Sequence, residues 1–92
     1  MNPKPTDVPT LPARYRLQWE AAQNAHVLLY PEGMVKLSAS AAEILKRVDG
    51  VRSVSLIIEQ LEQTFPGADL RSDVLDFLTT AQERGWILIS SG

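Results

Sequence analysis

The 92-residue chain contains no cysteine and a single histidine, His26. The first absence excludes a disulfide framework, a thiolate metal site, an iron–sulfur cluster and a cysteine nucleophile. The second leaves too few nitrogen ligands for an all-protein zinc or iron site. Positive charge is also short: nine Lys and Arg stand against eleven Asp and Glu, a net charge of −2. A protein that grips a phosphate backbone draws its affinity mainly from Lys and Arg, so this balance argues against nucleic acid. No stretch approaches the roughly 20 apolar residues a membrane helix needs. Met1 to Pro12 has no apolar core of the kind a secretory signal carries. These absences predict a cytoplasmic protein with no catalytic residues, no metal, no cofactor and no membrane partner.

What is present is apolar material for one small core, at 45% hydrophobic residues. A domain of this size buries only about 60% of its unfolded surface, which leaves no room for a deep catalytic cleft as well. Four prolines (Pro3, Pro5, Pro9, Pro12) crowd the first twelve residues. Proline donates nothing to a strand ladder and biases its predecessor toward extended backbone. Residues 1–12 therefore read as a flexible tail, and 13–92 as a single domain.

Tyr15-Arg16-Leu17-Gln18-Trp19-Glu20 alternates apolar and polar residues. This is the period of a strand with one buried face, with Tyr15, Leu17 and Trp19 directed at the core. Ala21 to Ala25 reads as a turn in which Asn24 can be left-handed. His26 to Tyr30 is a nearly all-apolar second strand, Pro31-Glu32-Gly33 a turn, and Met34 to Leu37 a short third strand. The period then lengthens to 3.6. Ser40 with Glu43 fits a capping box for a first helix ending at Asp49-Gly50. Ser53 caps a second helix whose stripe runs from Val54 to Phe65 and stops at Pro66-Gly67. Asp69 is placed to cap a third, with Leu70, Val74, Phe77, Leu78 and Ala81 on one face. Trp86 to Ile89 closes the chain as a short apolar segment, with Trp86 read as core cover. The expected fold is α+β: a three-stranded antiparallel sheet followed by three helices, winged helix-turn-helix-like.

A winged-helix DNA reader would use Leu70 to Arg84 for recognition. That helix carries Asp69, Asp73, Asp76 and Glu83 against Arg71 and Arg84, the wrong sign for the task. A hydrolase triad would need His26 beside a serine and a carboxylate, and His26 sits in a strand where packing explains it better. The feature that packing does not absorb is the outer edge of Met34 to Leu37. An open edge is a template for another strand, protected here only by its short length and Lys36. Trp86 to Ile89, the N-terminal segment, a second copy of the chain or a peptide could each cover it.

The residues also carry a pattern. Leu11-Pro12, Tyr15 to Glu20, Val27-Leu28-Leu29-Tyr30-Pro31-Glu32, Ala42-Glu43-Ile44-Leu45, Asp49-Gly50, Ile57-Ile58 with Leu61, and Asp73-Val74 with Phe77-Leu78 resemble PqqD, the pyrroloquinoline quinone biosynthesis protein D family. The likeness runs from about Leu11 to Ile89. It implies a peptide-recognition domain for ribosomally made, modified peptides. Such a protein binds the leader of the precursor peptide PqqA and presents it to the radical SAM enzyme PqqE. In that class the leader adds as a strand beside the third strand and packs on the third helix. Carried onto this chain, the resemblance implies contacts from Met34, Val35, Lys36 and Leu37 on one side and Asp73, Val74, Phe77 and Ala81 on the other. A plain dimerisation module, or a homodimer formed through the strand edge or the tail, is the competing expectation.

Overall fold

The computed structural model describes residues 3–91. Five strands and three helices follow one another as β1 (Val8–Thr10), β2 (Arg16–Glu20), β3 (Ala25–Tyr30), β4 (Gly33–Lys36), α1 (Ala39–Leu45), α2 (Val54–Thr64), α3 (Arg71–Glu83) and β5 (Leu88–Ser90). The fold is α+β. β2, β3 and β4 form an antiparallel sheet in that order, and β1 pairs with β5 in a separate two-stranded ribbon.

The three-stranded sheet follows its alternation. Leu17, Leu28 and Val35 stand opposite one another on the face turned to the helices. Leu28 is fully buried, in one core cluster with the equally buried Ile57, Leu78 and Ile87. Asn24 takes the left-handed conformation in the β2–β3 turn, with φ of 51°. Trp19 departs from its expected place. Its position in the alternation is right, but it lines a hollow of about 280 Å³ shared with α1 and is not packed on the helix. The indole is therefore 53% exposed and meets the His26 ring edge-on at 5.2 Å. Trp86 is half-buried against the core, beside Phe77 at 6.5 Å.

Two of the helix starts differ from the sequence expectation. α1 is capped by Ser38, whose Oγ accepts from the Ala41 N–H at 3.2 Å, and not by Ser40. Glu43 is consequently free of the capping box and pairs instead with Lys46 at 2.9 Å and Arg47 at 3.1 Å. At α3 the N-cap position is Leu70 rather than Asp69, and no side chain caps it. Leu70 packs against the core, and its N–H donates to Glu62 Oε2 at 3.3 Å, so the turn is closed from α2. Ser53 caps α2 as expected, accepting from the Leu56 N–H.

The largest correction concerns the N-terminal segment, which is not a flexible tail over its described residues. Val8 pairs with Ser90, Pro9 with Ile89 and Thr10 with Leu88. Pro9 is fully buried. The Asp7 and Pro5 carbonyls accept from the N–H groups of Val54 and Ser55 at 2.8 and 3.0 Å. These donors belong to the first turn of α2, which lacks partners within its own helix. The segment thus supplies half of the cap on α2. Proline is tolerated in β1 because its carbonyl faces Gly50 (N–H to O, 3.0 Å) and not β5, so the missing N–H costs no ladder bond.

Two carboxylates are held below their usual pKa. The Glu43 carboxylate accepts from Lys46 and then Arg47, and the Asp49 carboxylate accepts from the backbone N–H groups of Arg52 and Val51. Both values are depressed on folding. Their contribution to stability is complete above the ordinary carboxylate range of about 4 and is lost as pH falls through the lowered folded values. Thermal denaturation followed from pH 7 to pH 2 should therefore show a midpoint that drops at the acid end. Glu43→Gln should start lower at pH 7 and converge with the wild type in acid.

Candidate functional site

The hydrogen-bond phase of β4 identifies which of its groups are available. The Leu37 N–H donates to the His26 carbonyl at 3.0 Å, and these residues lie directly opposite in the register. In an antiparallel pair such positions alternate with ones whose amides face away. Val35 with Leu28 and Gly33 with Tyr30 are therefore bonded pairs. Met34 and Lys36, opposite Leu29 and Val27, turn both N–H and C=O outward from the sheet. β4 is an edge in the strand order. Two segments that could have covered it, the N-terminal residues and the chain end, pair with each other as β1 and β5.

Just beyond β4 the chain enters a groove of about 440 Å³. The chain from Ser38 to Ile44, the end of α2 at Leu61 and Phe65, and α3 with its approach, through Leu70, Asp73, Val74 and Phe77, line it. Its walls are mostly apolar, and Phe65, at the last turn of α2, is 44% exposed into the surroundings. Leu61 and Val74 are buried beneath it, so the floor is part of the core and pre-formed.

The structure thus brings together three of the expected residues, Asp73, Val74 and Phe77. Met34, Val35 and Lys36 are not in that groove but stand on the strand leading to it. Met34 and Lys36 are exposed and Val35 is half-buried. Leu37 and Ala81 are corrections. Leu37 is buried in the core, and Ala81 is fully buried on the inner side of α3, so neither offers a side chain to a ligand. Ser38, Ala39, Ile44, Phe65 and Leu70 were missed. Phe65 carried a signal: a large apolar residue one position before a Pro-Gly helix stop has half its surroundings removed.

A smaller hollow of about 280 Å³ lies on the other side of Ser38 and Ala39, lined also by Trp19, His26, Glu43 and Lys46. Among the described residues no three His, Asp or Glu side chains come together in a way that could hold a metal ion. No helix of the structure is long and apolar enough to cross a membrane.

The chain has relatives of known sequence and structure. The family described as Coenzyme PQQ synthesis protein D (PqqD) matches residues 25–87. A PqqA binding protein from Azotobacter vinelandii is 57% identical over 82 residues, spanning 88% of this chain and 89% of its own. One from Klebsiella pneumoniae is 55% identical over 74 residues, 79% of this chain and 80% of its own. The solution NMR structure of the PqqD truncation of Methylobacterium extorquens PqqCD, described as a functional and stand-alone RiPP recognition element, superposes with a TM-score of 0.78. The two are 34% identical, over 92% of this chain and 93% of that one. The chain belongs to the PqqD family.

Proposed function

We propose, from that membership and from the open edge of β4, that this protein is a non-catalytic peptide chaperone of pyrroloquinoline quinone biosynthesis. It binds the leader of the precursor peptide PqqA in the cytoplasm and presents it, in a ternary complex, to the radical SAM enzyme PqqE. The observation that carries the reading is the outward pair of amides at Met34 and Lys36, unclaimed by any described segment of the chain. The names of the relatives support the choice of peptide.

A leader laid antiparallel to β4 exchanges four main-chain hydrogen bonds with Met34 and Lys36. Its residue opposite Val35 points to the helix side of the sheet. The next inward residue toward the Lys36 end arrives at Ser38 and Ala39, the mouth of the groove. Main-chain bonds supply affinity for an extended backbone, and the groove supplies selection for an apolar side chain. Lys36, exposed on the outer face, meets an acidic leader residue there. Lys36→Ala should weaken binding by at most about 1 kcal/mol, as for other exposed pairs, measured by calorimetric titration with PqqA.

An amide NMR titration of the protein with PqqA tests the placement. The expected shifts fall on Met34 to Lys36 and on Asp73 to Phe77. Shifts confined to the α1–α2 loop would overturn it. Binding of duplex DNA with a steep salt dependence, in the absence of peptide binding, would install the winged-helix reading instead. Self-association that PqqA does not alter would favour a dimerisation module.

A further inference from the structure

We propose that Asp73 is a specificity-determining residue of the groove, selecting peptides that carry a lysine or arginine within two residues of the apolar side chain seated there. The proposal deepens the peptide-binding reading above and rests on it. Two ionisable side chains line the groove, Glu43 and Asp73, and no cationic side chain does. The two carboxylates are not equivalent. Glu43 is compensated by Lys46 and Arg47 at 2.9 and 3.1 Å. Asp73 is exposed and, among the described residues, joins none of the ion pairs.

Its helix offers no cation. The positions three and four residues away on α3 and its approach are Asp69, Leu70, Asp76 and Phe77, and these are the neighbours a helical side chain reaches. Arg71 lies on a different face, lining a hollow with Asp69, Ser72, Leu75 and Asp76. The α3 side of an apolar groove therefore carries one uncompensated negative charge. Next to an apolar surface that a ligand would dry, such a charge favours a cation and repels an acid, which is selection more than affinity. Lys36 presents the opposite sign on the strand leading to the groove, so a bound peptide with matching charges has a defined direction.

Asp73 also stands in the first turn of α3, where a carboxylate is favoured by the helix N-terminus. That role alone accounts for an acid at this position, and the two roles make different predictions. If Asp73 served only its helix, Asp73→Asn would shift the melting temperature and leave peptide preference alone.

The test is selection of a displayed random decapeptide library by the wild type, Asp73→Asn and Asp73→Lys. Dissociation constants of the enriched peptides are then measured by fluorescence anisotropy, with circular dichroism confirming the fold. Wild-type winners should carry Lys or Arg within two residues of a Leu, Ile, Met, Val or Phe. Those peptides should bind Asp73→Asn about threefold and Asp73→Lys about tenfold more weakly, the scale of an exposed pair lost and then reversed. Winners on Asp73→Lys should carry Asp or Glu at the same place. Wild-type winners without basic enrichment, or undiminished binding to both variants, would overturn the role of Asp73 and leave the peptide-binding reading intact. Should Asp73→Lys not fold, Asp73→Asn decides alone. Failure of the wild type to enrich any peptide would overturn the peptide-binding reading itself.

Discussion

Replacing Lys36 by proline should weaken peptide binding about ten- to a hundredfold, and the variant should remain folded. Replacing its neighbour Val35 by proline should do the reverse and damage the fold. The two residues are adjacent in a four-residue strand and differ only in where their amides point. The N–H of Lys36 faces away from β3, so proline there removes a donor the fold does not use. The incoming strand loses that hydrogen bond, worth about 0.5–1.5 kcal/mol, and meets the pyrrolidine ring where its own backbone should lie. Together these should weaken binding by ten- to a hundredfold, about 1.4–2.8 kcal/mol. Lys36→Ala separates the effect from loss of charge.

The Val35 amide faces β3 instead. Proline at that position leaves the Leu28 carbonyl without its partner in the interior, at a cost of about 1–3 kcal/mol, before any misfit of the ring. In a domain of this length 1 kcal/mol moves the melting midpoint by roughly 4–8 °C. Val35→Pro should therefore melt some 10–20 °C lower. If both proline variants bound PqqA like the wild type, strand addition at this edge would be excluded.

The second large effect is expected from removing residues 1–10. The truncation deletes β1, exposes the apolar surface that Pro9 and its partner Ile89 bury, and uncaps two amides at the start of α2. Each of the two capping hydrogen bonds contributes about 1 kcal/mol, and the lost ribbon and buried surface add a comparable amount. A total near 3–5 kcal/mol is a large part of the 5–15 kcal/mol that holds ordinary domains together. The melting midpoint should fall by at least about 15 °C, or the transition should vanish. A truncated protein that melts within a few degrees of the full chain would show that the segment is dispensable.

That segment also marks where the sequence was hard to read. Strand β2 and helix α2 were legible because one period dominates each: two residues in Tyr15 to Glu20, and 3.6 in Val54 to Leu61. Strands β3 and β4 were legible because an apolar run and a short strand flank the Pro31-Glu32-Gly33 turn. β1 has no such run. It is three residues long and contains a proline, and its reality depends on Leu88 to Ser90, some 80 residues away, and on the direction of one carbonyl. Local pattern carries none of that information. The start of α1 failed for a different reason. Glu43 three residues on favoured Ser40, but the helix begins two residues earlier on Ser38, and Glu43 pairs with Lys46 and Arg47. Trp19 failed because alternation reports a face and not how closely a helix packs onto it, and here a hollow lies between the indole and α1. For the site, the strand edge could be read from sequence, since a third strand without a later companion leaves one side open. The groove could not, because it is assembled from the beginnings of α1 and α3 and the end of α2.

The ribbon of β1 and β5 has a geometric consequence. Val8 and Ser90 lie opposite each other, and the residues before Val8 run on along the start of α2, where the Asp7 and Pro5 carbonyls accept from Val54 and Ser55. That is the first turn of α2, whereas the groove is built on its last turn, at Leu61 and Phe65. From Val54 to Phe65 an α-helix advances about 16 Å, at 1.5 Å per residue. A tether attached near either end, whether a fluorophore, an affinity tag or a whole second protein, would thus hang from the same corner and leave the groove mouth clear. Linking the two ends and opening the β2–β3 turn would give a circular permutant with the same edge exposed.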